Sequence, residues 1–308
     1  MRLESYKTKL LSFRVDRETR LGLLVGSSVV DVDKGYYNLF GDHASSDMLS
    51  FLERGEDAMA KTRMLEEAAK ADLERLCSIS GTVFDALSVD VLAPIPRTTK
   101  NIVCLGLNYR EHIKEVGLPF PKYPVFFTKP STSIVGPDAP ILFPKSTSKV
   151  DYEAELAFIF GKRGKDVAEE DAYDYVAGYT VFNDVTARDL QRRHEQWFKG
   201  KVLDTFAPMG PYLVTRDEIQ DPHNLEISLE LNGSLMQKAN TGNMVFKIPT
   251  LIKFITMDMT VEPGDVVATG TPSGVGYTRK PSVYLKPGDV MKVYIEKVGA
   301  LWNNVVIQ

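Results

Sequence analysis

Glu153 and Glu155 stand one residue apart in Asp151-Tyr152-Glu153-Ala154-Glu155-Leu156-Ala157-Phe158-Ile159-Phe160, a stretch whose apolar remainder reads as a buried strand. Side chains alternate faces along a strand, so the two glutamates share one face, with Asp151 in line beyond them. Unpaired carboxylates beside an apolar run are costly, and neighbouring anions raise the cost, so positive charge must stand opposite; a metal ion is the simplest candidate. A third acid, Asp184, follows a second strand-like run, Ala177-Gly178-Tyr179-Thr180-Val181-Phe182-Asn183. Its competing role is the N-cap of a helix running from Val185 to Trp197. Three carboxylates without a neighbouring His or Cys form an oxygen-only set, which suits Mg²⁺, Mn²⁺ or Ca²⁺ better than zinc.

Among four histidines, His112 is the one with a chemical partner at helical spacing: Glu115 follows three positions later, so one turn puts imidazole and carboxylate on one face. Such a pair fixes a tautomer and raises imidazole basicity for general-base work. An exposed helix that happens to carry both residues is the competing reading. His43, His194 and His223 have loop or surface-helix neighbours and receive no role. Lys129 and Lys201 each adjoin an apolar strand-like segment and could neutralise a substrate carboxylate, or simply be solvated. Arg188, Arg192, Arg193 and Lys199 to Lys201 form the densest basic cluster, either a solvated helix face or an anion-binding surface. The segment Thr269 to Gly276 lacks the Gly-Lys-Ser/Thr of a phosphate loop; it reads as a turn that cups a carboxylate, or as a purely structural one.

These residues must be positioned by a sizeable core. The chain has 308 residues, enough for one large domain plus a smaller one. With 44% apolar and 25% charged residues it matches soluble globular proteins, and no apolar run approaches a membrane span. Residues 1–12 lack the apolar core of a signal peptide, and the two cysteines cannot form a disulfide framework, so a cytoplasmic location is expected. A net charge of −4 with scattered basic residues gives no reason to bind nucleic acid or anionic lipid, leaving small molecules as partners.

The first ninety residues predict strands at Leu10–Val15 and Leu21–Val32 about the charged turn Asp16 to Thr19, then a helical stretch from Asp47 to Leu76 broken near Gly55. Pro94 and Pro96 mark an extended boundary, dividing the chain into a small α/β N-terminal domain, 1–95, and a larger domain, 96–308. The larger part is strand-rich, with short Val/Ile/Phe/Tyr/Thr runs and two Pro-Gly-Asp turns, at 263–265 and 287–289. Helices are fewer there: Val185–Trp197 and Ile248–Met257. The fold class is mainly β with α, an α+β protein.

The ordered motifs Gly106-Leu107-Asn108-Tyr109 with His112, Phe127-Thr128-Lys129-Pro130, Asp151-Tyr152-Glu153-Ala154-Glu155, Phe182-Asn183-Asp184-Val185-Thr186-Ala187-Arg188-Asp189, Gly200-Lys201 and Thr269 to Gly276 resemble the fumarylacetoacetate hydrolase family over about 101–308. The resemblance implies a mixed β-sandwich roll, a homodimer, and Mg²⁺ or Mn²⁺ held by Glu153, Glu155 and Asp184. It also implies a His112–Glu115 dyad on a lid, with Lys201 as a third catalytic group and Lys129, Arg188, Gln191 and Thr271 as substrate contacts. Asn108 stands where the larger fumarylacetoacetases carry an additional acid, so smaller 2-oxo-acid enzymes are the nearer comparison. The implied activity is metal-dependent C–C hydrolysis of a 2,4-dioxo acid of the acylpyruvate type through a metal-bound enolate. Alternatives in the same family are oxaloacetate decarboxylation, keto–enol tautomerisation and isomerisation of a hydroxy-heptadiene-dioate; outside it stands a non-catalytic metal-stabilised binding protein.

Overall fold

The computed structural model describes residues 8–77 and 80–308. The chain opens with β1 (Lys9–Val15), β2 (Glu18–Val25) and β3 (Ser28–Asp31), and Asp16 and Arg17, both at positive φ, close the first hairpin as a two-residue turn of primed type. Helices α1 (Val32–Phe40), α2 (Met48–Glu53), α3 (Gly55–Ala71) and α4 (Leu73–Leu76) follow, then β4 (Val83–Asp85) and β5 (Asp90–Val91). The helical stretch is broken before Gly55, which sits at φ +64, and Asp47 and Asp72 cap α2 and α4 by accepting from Ser50 N and Arg75 N. In α3 the buried Ala58, Thr62, Leu65 and Ala69 recur at the spacing of one helix face.

The larger part runs β6 (Ile102–Gly106), α5 (Arg110–Glu115), β7 (Val125–Lys129), β8 (Ile134–Val135), β9 (Ile141–Phe143), β10 (Val150–Asp151), β11 (Ala154–Phe160) and β12 (Val176–Asn183). Next come β13 (Thr186–Ala187), α6 (Arg188–Arg193), α7 (Phe198–Lys201), β14 (Ala207–Thr215), β15 (Glu226–Leu231) and β16 (Ser234–Asn240). The chain finishes with α8 (Ile248–Thr256), β17 (Val266–Ala268), β18 (Val290–Ile295) and β19 (Gly299–Ile307). This is the α+β class with two large sheets. The first follows the order β4-β3-β2-β1-β14-β12-β11-β17-β6-β7, with β5 on β1 and β8 on β14; the second is β16-β15-β18-β19-β9.

Every residue of β11 is buried because both faces of the main sheet are covered. Leu156, Phe158 and Phe160 enter a core shared with Ile227, Leu229, Val293 and Leu301 of the second sheet. Ala157 and Ile159 point the other way, into a core that also holds Leu10, Leu23, Phe51, Leu52 and Leu65 of the first ninety residues. Truncating Phe158 to Ala in such surroundings costs about 3–5 kcal/mol. Strands β1 to β5 join the rest of the main sheet through β1, whose Lys9 and Leu10 pair antiparallel with Val214 and Leu213 of β14. No helix among the described residues is long and apolar enough to cross a membrane.

Two local expectations are corrected. The Asp151–Phe160 stretch is not one strand: β10 pairs with β13 in a small separate ladder, the chain leaves strand geometry at Tyr152 and Glu153, and β11 starts at Ala154. The helix expected from Val185 begins only at Arg188, because Thr186 and Ala187 satisfy their backbone groups against Val150 and Asp151. The Pro-Gly-Asp turns lie where expected. Asp265 N donates to Glu262 O and Asp289 N to Lys286 O, immediately before β17 and β18.

Candidate active site

Glu155 projects from β11, Glu153 lies just before that strand, and Asp184 lies just after its antiparallel neighbour β12. Asp184 N donates to Glu153 O at 2.9 Å, which ties the two strand ends together. One carboxylate oxygen from each of the three acids lies within 4.8 Å of the other two, and all three residues are buried. Glu155 Oε2 accepts from Gly270 N at 2.8 Å, whereas Glu155 Oε1 is buried with no hydrogen-bond partner. Gly270 takes φ +93, which favours glycine there and lets the backbone amide reach the carboxylate.

Two lysines and an arginine complete this buried cluster. Lys129 Nζ donates to Asp184 Oδ1 at 2.5 Å and to Val185 O at 2.9 Å, and its side chain is fully buried. Lys201 Nζ bridges Glu153 Oε2 at 2.8 Å and Asp184 Oδ2 at 2.6 Å. Arg188 Nε donates to Asp151 Oδ2 at 2.8 Å and Nη1 pairs with Glu153 Oε1 at 2.6 Å. Burial opposes charge on all of these groups, and the partners decide the outcome. Lys201 and Arg188 are held above their ordinary ranges by the neighbouring carboxylates, and Glu153 is held far below its own by Lys201 and Arg188. For Glu155, burial and the nearby Asp184 and Glu153 charges push the carboxyl well up. Lys129 is pushed down by burial, which the charge of Asp184 only partly offsets.

A divalent cation fits these donors. The ligand atoms are hard oxygens at chelating separation, and Glu155 Oε1 is a buried oxygen without a partner, a costly state unless positive charge meets it. Four buried carboxylates, Asp151, Glu153, Glu155 and Asp184, face three buried cations, Lys129, Arg188 and Lys201, so the cluster carries one uncompensated negative charge when all are ionised.

Asp151 does not continue the carboxylate row. Its Oδ1 accepts from Gly276 N at 2.7 Å and its Oδ2 from Tyr277 N at 3.1 Å, so it joins the 274–278 loop to Arg188. Gly276 is required at this join, since a Cβ there would stand 1.9 Å from Val283 O and 2.6 Å from Asp151 Oδ1. That loop also holds the dyad. His112 Nδ1 lies 3.1 Å from Glu115 Oε2, and Glu115 Oε1 accepts from Gly274 N at 3.0 Å and Thr278 Oγ1 at 2.8 Å. Burial pushes the Glu115 carboxyl up, but the hydrogen bonds from His112, Thr278 and Gly274 outweigh it and hold the group below its ordinary range.

A cavity of about 310 Å³ is lined by His112, Glu153, Lys201, Arg188, Gln191 and Thr271, with Leu107, Val116, Leu118, Phe127 and Trp197 as its apolar wall. Leu107 holds φ +54, a strained value for a bulky residue, at this wall. Thr271 Oγ1 accepts from Gln237 Nε2 at 2.9 Å, which leaves its hydroxyl proton free to donate. Gln191 Oε1 accepts from Arg188 Nη1 at 3.2 Å, leaving its amide donors free.

Of the residues singled out from the sequence, Lys129 is displaced from its expected part. It does not line the cavity, and its ammonium is spent on Asp184 and Val185 O, so it positions a carboxylate instead of meeting substrate. Asp184 caps no helix; both of its oxygens are taken by lysines. Asn108 is fully buried and pins its loop, donating to Phe246 O and Thr269 O and accepting from Phe246 N. His194, given no role from its neighbours, lines the cavity, as do Tyr277 and Glu195. Tyr277 and Gln237 had no local signal: each acts through partners more than thirty residues away.

Residues 101–306 match the family model described as fumarylacetoacetate (FAA) hydrolase, C-terminal. The chain is 45% identical over 291 residues to a mitochondrial oxaloacetate tautomerase of Xenopus laevis, a match covering 93% of this chain and 86% of that protein. Among solved structures it is similar to a fumarylacetoacetate hydrolase from Exiguobacterium antarcticum, with TM-score 0.82, 38% identity, and 98% of this chain and 100% of that one covered. It is also similar to a maleylpyruvate hydrolase from Sphingobium in complex with manganese(II) and pyruvate, with TM-score 0.74, 31% identity and coverage of 97% and 99%.

Proposed function

Because the chain belongs to the fumarylacetoacetate hydrolase family, we propose that it is a Mg²⁺- or Mn²⁺-dependent enzyme of 2-oxo acids, and that keto–enol tautomerisation of oxaloacetate is its reaction. The observation that carries this is that the buried Glu153–Glu155–Asp184 set and the His112–Glu115 pair each send one member, Glu153 and His112, into the wall of the same small cavity. Glu153, Glu155 and Asp184 would hold the ion, which supplies a Lewis acid and a template for the α-oxo carboxylate.

The chain's own residues carry the proton work. Engagement of His112 Nδ1 by Glu115 leaves Nε2 as the basic nitrogen, suited to removing a proton from C3. Lys201, fixed between Glu153 and Asp184, presents positive charge where the C2 oxygen gains negative charge. Thr271 and Gln191 supply donors that orient the carboxylate and the carbonyl. The apolar wall of Leu107, Val116, Leu118, Phe127 and Trp197 keeps water away from the carbanion. Protonation at oxygen completes the enol; the reverse sequence returns the ketone.

A second reading is hydrolysis of an acylpyruvate, in which the same His112 nitrogen removes a proton from water attacking the distal carbonyl. The similarity to the maleylpyruvate hydrolase favours it. Incubation with oxaloacetate and, separately, with acetylpyruvate distinguishes the two. Tautomerisation accelerates decay of the enol absorbance without CO₂ release, decarboxylation releases CO₂, and hydrolysis yields pyruvate and acetate. Undiminished turnover in EDTA would overturn the metal-dependent scheme. The same reading treats residues 1–95 as a small domain seated on the catalytic part and the enzyme as a homodimer, which light scattering of the purified protein tests.

A further inference from the structure

Helix α6 presents Arg188, Gln191 and Arg192 at positions i, i+3 and i+4, so all three lie on one face, and all three line the cavity. The two guanidiniums both rest on the ring of Tyr277, itself part of the lining, with Arg188 at 4.4 Å and Arg192 at 4.8 Å from its centroid. Their electrostatic situations differ. Arg188 is buried, with Nε on Asp151 and Nη1 on Glu153, while its Nη2 has no hydrogen-bond partner among the described residues. Arg192 is exposed, and among the described residues no carboxylate lies within ion-pair distance of it, including Glu195, which shares the cavity wall.

Four residues of helix set the backbone origins of the two cations about 6 Å apart along the axis. The inner one abuts the acids that would receive the α-oxo carboxylate end; the outer one stands a short carbon chain further out, at the mouth. Its planar fork of donors suits a carboxylate, and the Tyr277 ring reduces the freedom it must lose on pairing. Beyond His194 and Glu195, the wall is completed by the apolar Leu107, Val116, Leu118, Phe127 and Trp197. We infer that Arg192 is a specificity-determining residue that receives the second carboxylate of the substrate, so that the site selects four- and five-carbon 2-oxo dicarboxylates over 2-oxo monocarboxylates. This rests on the reading of the site as a 2-oxo-acid enzyme.

The test compares kcat/KM of the Mn²⁺-loaded enzyme for oxaloacetate and for 2-oxobutyrate, a monocarboxylate of equal carbon number, in wild type, Arg192→Gln and Arg192→Lys. Loss of one charge-assisted interaction predicts that Arg192→Gln lowers the oxaloacetate-to-2-oxobutyrate ratio ten- to hundredfold, as an order of magnitude, mainly through the KM for oxaloacetate. Arg192→Lys should recover part of the ratio, and the wild-type preference should fall with added salt while that of Arg192→Gln does not. A ratio within twofold of wild type in Arg192→Gln, or equal losses on both substrates, overturns the assignment. Failure of the underlying reading looks different: wild type would turn over neither compound, and oxalate, which needs no second carboxylate site, would not protect Mn²⁺-loaded protein against thermal unfolding.

Discussion

Replacing Lys129 by Met keeps the length and apolar body of the side chain and deletes only the ammonium. The residue is fully buried, and its charge meets Asp184 Oδ1 at 2.5 Å and Val185 O at 2.9 Å. Removing one partner of a buried, hydrogen-bonded pair leaves the other charge uncompensated and costs about 3–5 kcal/mol, whereas a solvated pair such as Arg14–Asp90 is worth about 0–1 kcal/mol. With an unfolding entropy of roughly 2.1 cal/mol/K per residue over 308 residues, the loss corresponds to a fall in Tm of about 5–8 °C. Lys201 still binds Asp184 Oδ2, which sets the expectation toward the lower end of that range. Calorimetry in EDTA near pH 7 reads the effect directly, with Arg14→Met as the exposed control. Isothermal titration with Mn²⁺ should in parallel show weakened binding, because Asp184 has lost the group that fixes its rotamer. A Tm for Lys129→Met within 2 °C of wild type would refute the reasoning that this lysine stabilises a buried carboxylate.

Glu155→Gln should abolish the rise in Tm that saturating Mn²⁺ gives the wild type, since an ion bound only by the folded state stabilises it by mass action. Glu115→Gln should lower kcat by roughly 10²-fold or more with little change in KM, and Thr278→Val, which removes one donor to Glu115, should lower it less. The Glu115 carboxyl is held below its ordinary range, so its contribution to stability is complete above the unfolded value and fades as pH falls through the folded one. Wild type should therefore lose Tm on acidification below about pH 4.3 more steeply than Glu115→Gln does. Burial and the neighbouring Lys247 charge push the His223 imidazole down to about 4 while its Nε2 accepts from Ile248 N at the start of α8. The neutral ring thus stabilises the fold above the unfolded pKa of about 6.5, an advantage lost between there and pH 4; His223→Gln should flatten the Tm-versus-pH curve in that window.

The convergence of Glu153, Glu155 and Asp184 is legible in the sequence because its logic is local. Two acids at spacing two in an apolar run, and one at the end of the next such run, share a face once the strands pair antiparallel, and His112 and Glu115 were equally visible as an i,i+3 pair. What escaped depended on distant partners. Lys129 reads from its neighbours as a solvated or substrate-facing cation, and only the 55-residue separation closed by the fold gives it to Asp184. Asp151 looked like a third member of the row because period-two counting cannot see the departure from strand geometry at Tyr152 and Glu153. Helix α6 starts later than the local pattern predicts because Thr186 and Ala187, just before it, pair with β10. Strand β14 gave no clear sign of itself: Pro208 and Pro211 argue against an interior strand, yet it is flanked on both sides, with β12 along one edge and β8 and β1 sharing the other.

That shared edge governs what a deletion would do. A chain begun near residue 96, trimmed to the matched family region, would strip β1 from β14 and leave the Thr215 amide, which donates to Thr8 O, unpaired beside the newly bared Leu213, Phe182 and Ile159. An unprotected strand border of that kind recruits other polypeptides. Shortening the gene to residues 96–308 should therefore give a sticky, self-associating product in place of a smaller working enzyme.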